Sequence, residues 1–291
     1  MNEGLQPSFD YTAAFSRNIG WLTEAEQQLL RTRRVAIAGM GGVGGFHLLT
    51  LARLGVEKFN IADLDIFELA NFNRQAGASM STLGRPKVDV LAEMAWDINP
   101  GADIRIFPQG VNEQNLSEFF RGVDLYVDGL DFFAFEAREQ VFKYCADNRI
   151  PAVTVAPLGK SAALLNFLPG GMSFEDYFQL VGRPELEKAV RFLVGLAPAL
   201  LHRHYLADKS RVDLKARKGP STVLACQLCA GVAATEALKI LIGRGRVWAA
   251  PHGIQFDGFS NRLAHTWRPG GNRNPLNRLA IAIAMKQLAL A

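Results

Sequence analysis

The stretch Val35-Ala-Ile-Ala-Gly-Met-Gly-Gly-Val-Gly-Gly45 constrains this chain more tightly than any other. Val35 to Ala38 are small and apolar and read as a buried strand. Gly39, Gly41 and Gly44 follow at GxGxxG spacing, and Phe46 to Leu54 continue with a helical apolar pattern. A strand–turn–helix of this composition has a defined use. Gly39 permits the tight turn, Gly41 lets backbone approach a phosphate, and Gly44 lets helix and strand pack closely. The helix start then offers unpaired N–H groups and a partial positive charge to an anion. A bound nucleotide is expected.

The 291 residues suffice for one large or two ordinary domains. With 49% hydrophobic and 21% charged residues the chain is globular and can bury a sizeable core. A net charge of +4 suits a phosphate-bearing ligand but lacks the dense basic tracts of a nucleic-acid binder. Three cysteines make no disulfide framework, and the first ten residues show no signal sequence. No apolar run reaches the ~20 residues that span a bilayer. The expectation is a soluble, cytoplasmic protein with no nucleic-acid or membrane partner.

Downstream, Lys58 to Asp63 reads as a second buried strand ending in an acid. Asp63 follows Gly39 by 24 residues, a position suited to accepting hydrogen bonds from ribose hydroxyls. The next run, Asp63-Leu-Asp65-Ile-Phe-Glu-Leu-Ala-Asn71-Phe-Asn73-Arg74-Gln75, has no purpose in a plain dinucleotide-binding domain. It does have one beside a triphosphate: Arg74 supplies fixed donors to phosphate oxygens, and Asn71 a neutral donor. Lys87 stands at a helix start (Val88 to Asp97), where an anion would explain a lysine that otherwise opposes the helix dipole. A third strand (Asp103 to Phe107), a helix (Gln114 to Arg121) and a fourth strand (Asp124 to Asp128) lead to Asp128-Gly-Leu-Asp131. Asp131, just past a strand's carboxyl end, suits a Mg²⁺ held jointly with phosphates. A helix (Phe132 to Asn148) and a strand (Ala152 to Ala156) complete an alternating βα run.

Taken together these pieces resemble the ubiquitin-activating-enzyme-like adenylyltransferases, the ThiF/MoeB/HesA group. The resemblance runs from about Arg17 to Leu168 and resumes near Val223 to Ile242. Its motifs are Arg17, GMGGVG (Gly39 to Gly44), DLD (Asp63 to Asp65), NFNRQ (Asn71 to Gln75), GRPK (Gly84 to Lys87), INP (Ile98 to Pro100) and DGLD (Asp128 to Asp131). The resemblance implies an α/β fold: a Rossmann-like, doubly wound, mostly parallel sheet, with a divergent C-terminal half adding strands and helices. Residues 1–168 would be the nucleotide-binding adenylation core with a helical lead-in. Residues 169–291 would complete the sheet and make substrate and dimer contacts. It further implies ATP and Mg²⁺ as cofactors and a carboxylate substrate, such as the C-terminus of a ubiquitin-like protein or peptide or a small acid. Gly39, Gly41, Gly42, Gly44, Asp63 and Asp65 would bind the nucleotide. Asn71, Arg74 and Lys87 would contact the triphosphate, with Asp131 positioning Mg²⁺. Arg17 would reach the neighbouring subunit's site, making the protein a homodimer.

Two departures stand out. Many relatives hold a structural zinc with two CxxC pairs; here Cys226-Gln-Leu-Cys229 is the only pair, so no zinc is expected. These cysteines read as preceding a helix over Ala230 to Ile242, and a thioester role for Cys145, Cys226 or Cys229 is left open. Residues 157–222 carry no legible function. Lys160 to Leu168 reads as a strand and Glu187 to Leu206 as a helix kinked or broken at Pro198; Lys209 to Lys218 is a basic loop. His202 and His204 would lie on different helix faces. Two strands (Ile254 to Phe256, Leu263 to Trp267) and a helix over Asn274 to Ala291 end the chain. Two rival readings are a nicotinamide-dependent oxidoreductase, which leaves Asn71, Arg74 and Lys87 unexplained, and a non-catalytic activating-enzyme subunit, which would have lost them.

Overall fold

The computed structural model describes residues 8–214 and 216–289. Lys215, in the expected basic loop, and Leu290 and Ala291, at the end of the expected last helix, lie outside the described residues. One sheet organises the rest. Strands β1 (Arg34–Ala38), β2 (Lys58–Ala62), β3 (Asp103–Phe107), β4 (Leu125–Asp128) and β5 (Ala152–Leu158) are parallel. Strands β6 (Ser161–Phe167), β7 (His252–Asp257) and β8 (Arg262–Trp267) extend the sheet antiparallel. The order is β3-β2-β1-β4-β5-β6-β7-β8. The winding direction therefore reverses between β1 and β4, and ligands of such sheets bind in the crevice outside the carboxyl ends of the strands at that point.

The helices in chain order are α1 (Tyr11–Ala14), α2 (Glu24–Thr32), α3 (Gly44–Arg53), α4 (Lys87–Ile98), α5 (Leu116–Phe119), α6 (Phe135–Asp147), α7 (Phe174–Phe178), α8 (Glu185–Leu196), α9 (Val223–Ile242) and α10 (Pro275–Ala289). They cover both faces because β1 is buried on both. Its side chains alternate: Val35 and Ile37 enter one core with Leu48, Leu91 and Ala234, whereas Ala36 and Ala38 enter the other. That second core is aromatic. Phe142 stacks on Phe174 at 4.4 Å and Phe178 meets Phe192 at 5.0 Å. The small side chains of Ala36 and Ala38 leave room for it. Each fully buried Leu or Phe of these layers contributes about 1.5–3 kcal/mol.

Several sequence expectations need correction. The helix expected over Gln114 to Arg121 is one turn, because Asn112 Oδ1 accepts from the Gln114 and Asn115 N–H groups and diverts the backbone. The helix expected to run on to Leu206 breaks ahead of Pro198 and ends at Leu196, so His202 and His204 sit in and beside a 3₁₀ turn (Arg203–Tyr205). Helix α9 begins at Val223, so Cys226 and Cys229 lie inside it rather than before it. Its 20 residues, though interrupted by Gln227, Glu236 and Lys239, are apolar enough by length and composition to cross a membrane. Here α9 packs against β5, β6 and α3, and Cys226, Cys229, Ala233 and Ala237 are buried in that contact.

Candidate active site

The glycine turn closes on itself. Gly39 has φ +87°, and a Cβ there would strike the Gly129 carbonyl; a Cβ on Gly44 would strike the Gly39 carbonyl. The end of β1, the start of α3 and the end of β4 are thereby in backbone contact. Gly39 N–H donates to Ala62 at 2.7 Å and Gly129 N–H to Ala38 at 2.9 Å, tying the turn to the strands. No side chain caps α3, which leaves its first N–H groups to solvent or an anion. Over Gly41 the space is open except for Gln75 Nε2, 3.7 Å from where a Cβ would stand. Beside Gly42 lies Cys226 Sγ, with the Arg74 stem slightly farther away.

Asp63 belongs to this turn. Its Oδ2 accepts from Met40 N–H at 2.6 Å and its Oδ1 from Asp65 N–H at 2.8 Å. Burial raises its carboxyl pKa above the usual range, partly offset by those two N–H donors. Each oxygen keeps a lone pair, so the group can hold the turn and still accept from a hydroxyl.

Lys87 and Asp65 meet. Lys87 is the first residue of α4, buried, and its Nζ lies 2.8 Å from Asp65 Oδ2 while its N–H donates to the Asp65 carbonyl. The anion anticipated at this helix start is therefore supplied in part by the chain. Asn71 is buried, with Oδ1 accepting from Glu68 N–H. Arg74 folds back on its own segment, donating to the Ala70 carbonyl and to Asn73 Oδ1, both at 2.9 Å. Asn73 Nδ2 donates to the Ser221 carbonyl, which joins this segment to the start of α9.

Asp131 is exposed and caps the following turn, Oδ1 accepting from Phe133 N–H at 3.0 Å. Its loop is held from beneath by a group that sequence reading missed. Arg138, on α6, pairs with buried Asp128 at 2.9 Å and donates to the carbonyls of Leu130, Asp131 and Phe132. Asp128 also accepts from Thr154 and Tyr126 hydroxyls. Gln75, read in the sequence only as part of its run and given no role there, is 8% exposed, its Oε1 is buried without a partner among the described residues, and its amide nitrogen faces Gly41. It stood inside the NFNRQ run, where nothing but its neighbours distinguished it.

The structure thus gathers Gly39, Gly41, Gly42, Gly44, Asp63, Asp65, Asn71, Arg74, Lys87 and Asp131 around the carboxyl ends of β1, β2 and β4. Arg17 stands apart. It is exposed in the Ser16–Asn18 turn, which Asn18 anchors to Gln27 and to the Leu54 carbonyl at the far end of α3. That is about 15 Å along the helix from the glycine turn. Cys145, Cys226 and Cys229 are buried, and burial pushes all three thiols up.

The residues fit a nucleoside triphosphate and a divalent cation. An uncapped helix start, open space over Gly41, a partnerless buried amide oxygen at Gln75 and an uncommitted Asp131 Oδ2 are donors and acceptors with work outstanding.

Comparison with known proteins agrees. The ThiF family is matched over residues 15–278. A tRNA threonylcarbamoyladenosine dehydratase of Bacillus subtilis (strain 168) is 33% identical over 141 residues, 48% of this chain and 55% of that protein. A probable molybdopterin-synthase adenylyltransferase of Porphyra purpurea is 31% identical over 180 residues, 60% of this chain and 46% of that protein. The chain spans about half the length of the curated relatives it matches. Among solved structures, Escherichia coli MccB with ATP superposes with TM-score 0.65 at 18% identity, over 91% of this chain and 72% of that one. MccB with MccA gives 0.64 at 18%, over 84% and 66%. At that identity the likeness speaks for the fold.

Proposed function

Because this chain belongs to the ThiF family, we propose that it is an Mg·ATP-dependent adenylyltransferase that activates a carboxylate. The observation that carries the reading is the convergence of Asn71, Arg74 and Lys87 with the glycine turn and Asp131 at the β1–β4 crevice. A nicotinamide site has no use for that donor set.

In the reaction a substrate carboxylate oxygen bonds to the α-phosphorus of ATP. The bond to the α–β bridging oxygen breaks, and pyrophosphate leaves with the electron pair. No protein nucleophile is required, and the buried thiols supply none. The chain contributes position and charge. Asp63 holds the turn and accepts from the ribose. Arg74 swings off Ala70 and Asn73 to donate to phosphate, Asn71 donates from Nδ2, and Lys87 shares its charge between Asp65 and the triphosphate. Asp131 would hold a Mg²⁺ ion here, and that ion would supply positive charge beside the leaving pyrophosphate.

The far placement of Arg17 supports its use in a partner's site, and hence a homodimer with shared sites. Residues 1–168 then form the adenylation core, and residues 169–291 make substrate and dimer contacts. The substrate is a protein or peptide C-terminus or a smaller acid; one of the solved structures of similar fold holds MccA together with MccB.

Calorimetric titration with Mg·ATP, and separately with NAD and NADPH, tests the reading. Mg·ATP should bind and the dinucleotides should not; the reverse result would replace an adenylyltransferase by an oxidoreductase. Arg74→Ala and Asp131→Asn should each lower pyrophosphate release by more than ~10²-fold, the scale of losing a transition-state charge partner. Near-normal rates in both would remove the assignment of those residues. Arg17→Ala should be equally inactive alone but regain activity when mixed with Asp131→Asn subunits. Failure of that complementation would mean the sites are not shared.

A further inference from the structure

A second cavity, of about 430 Å³, lies on the opposite side of α9 from the glycine turn, lined by Lys160, Leu224, Gln227, Leu228, Gly258 and Phe259. Lys160 dominates its chemistry. Its Nζ sits 3.5 Å from the centre of the Phe259 ring and 5.4 Å from that of Tyr205. No carboxylate pairs with this ammonium among the described residues. The adjacent acid, Asp257, is fully buried and committed to the Tyr205 hydroxyl at 2.6 Å and Ser260 N–H at 2.8 Å. The backbone of Lys160 is pinned at both ends, its N–H to the Tyr205 hydroxyl and its carbonyl to Gly258 N–H. The result is a half-buried, preorganised cation with aromatic walls and no carboxylate partner among the described residues.

Its position relative to the reaction is set by α9. Cys226 faces inward and abuts Gly42, while Leu224 and Leu228, two residues to either side, face outward into the cavity. The cavity and the phosphate turn are therefore separated by one helix thickness, about 10–12 Å. Both open at the N-terminal end of α9, which is fastened to the Gly159–Lys160 turn by Thr222 Oγ1 and to the triphosphate segment by Asn73. A chain passing around half the helix covers about 16–19 Å and advances roughly 3.4 Å per residue, so about five extended residues bridge the two.

We infer that the cavity recognises an acidic side chain about five residues upstream of the carboxylate that is activated, so that the substrate is an acidic peptide or protein C-terminus. Lys160 pairs with the acid, Leu224, Leu228 and Phe259 take its methylenes and neighbouring apolar groups, and Gln227 is available to a peptide group. This rests on the adenylation reading and goes beyond it by specifying the substrate.

The test uses the full chain, Mg·ATP and pooled heptapeptides randomised over their last six residues. Hydroxylamine present in the mixture converts any acyl-adenylate to a C-terminal hydroxamate, read by mass spectrometry. Peptides with Asp or Glu at the upstream position should be enriched at least roughly tenfold over their Asn and Gln counterparts. Lys160→Met should abolish that preference, and Lys160→Glu should transfer it to Lys and Arg. Hydroxamates formed without acidic preference, or a preference indifferent to Lys160, would overturn the inference; the wild-type result alone decides this if a variant does not fold. No hydroxamates despite tight Mg·ATP binding would exclude a peptide substrate while leaving adenylation intact. No Mg·ATP binding would remove both.

Discussion

Arg138→Met should destabilise the protein by about 3–5 kcal/mol, the cost of stranding one member of a buried ion pair. The pair is as buried as any in the chain, with side-chain exposures of 2% for Arg138 and 3% for Asp128. Removing the guanidinium strands Asp128, leaving it hydroxyls and the Leu130 N–H, and deprives the Leu130, Asp131 and Phe132 carbonyls of a donor. It also removes the cation over the Phe192 ring at 4.7 Å. Against a total stability of roughly 5–15 kcal/mol for a typical domain, the loss is large. Urea unfolding measures it, and a change below about 1 kcal/mol would show that the pair holds nothing. A double variant, Asp128→Leu with Arg138→Met, separates the two duties of this arginine. Apolar replacement of a buried pair is often close to neutral, so stability should largely return. Pyrophosphate release should not, because the loop presenting Asp131 would still lack its staple. Recovery of both would mean that Arg138 acts on stability alone.

The second large effect belongs to His47, on the first turns of α3. It is fully buried, neither ring nitrogen has a hydrogen-bond partner, and burial lowers its pKa from 6.5 to about 4, slightly opposed by the charge of Asp128. The folded protein therefore keeps this imidazole neutral where the unfolded chain protonates it. As pH falls from 6.5 towards 4, the unfolded state binds the additional proton and stability declines. Across that window the loss is roughly 3 kcal/mol, and below it the two states are protonated alike. His47→Leu removes both the titration and the two orphan nitrogens. The variant should be at least as stable as the parent at pH 7.5, and the gap should widen by roughly 3 kcal/mol at pH 4. Parallel stability–pH curves for the two proteins would show that His47 does not titrate differently on unfolding.

Both predictions concern residues that carried no signal in the sequence, and the reason is physical. The elements around the site were legible because their determinants are contiguous. Val35 to Ala38 are small and apolar in succession, the glycines follow within one turn, and Asn71, Arg74 and Gln75 fall within five residues. Thr23 and Glu26, three residues apart, close a capping box at the start of α2, with Glu26 accepting from Thr23 N–H at 2.8 Å. Backbone preference and short-range hydrogen bonding act over such distances, and a linear reading captures them.

Pairings between remote segments were not legible. Lys87 meets Asp65 across 22 residues and Asn73 reaches Ser221 across 148, and nothing in either neighbourhood announces the partner. Burial decides the rest. An arginine followed by a glutamate on a helix looks solvated until packing places Arg138 beneath the Asp131 loop. A histidine in an apolar helix looks ordinary until the layers of α3, α9 and the sheet close over both its nitrogens. The stretch from 157 to 222 was opaque for the same cause: the worth of Lys160 lies in Tyr205 and Phe259, which approach it only when β6, β7 and the turn after α8 assemble. The chain's local chemistry thus settled the βα frame and the run of polar residues that follows its second strand. Which charges are spent on the fold and which remain for a ligand was settled by tertiary packing, because a charge's partner and its desolvation are properties of the assembled layers.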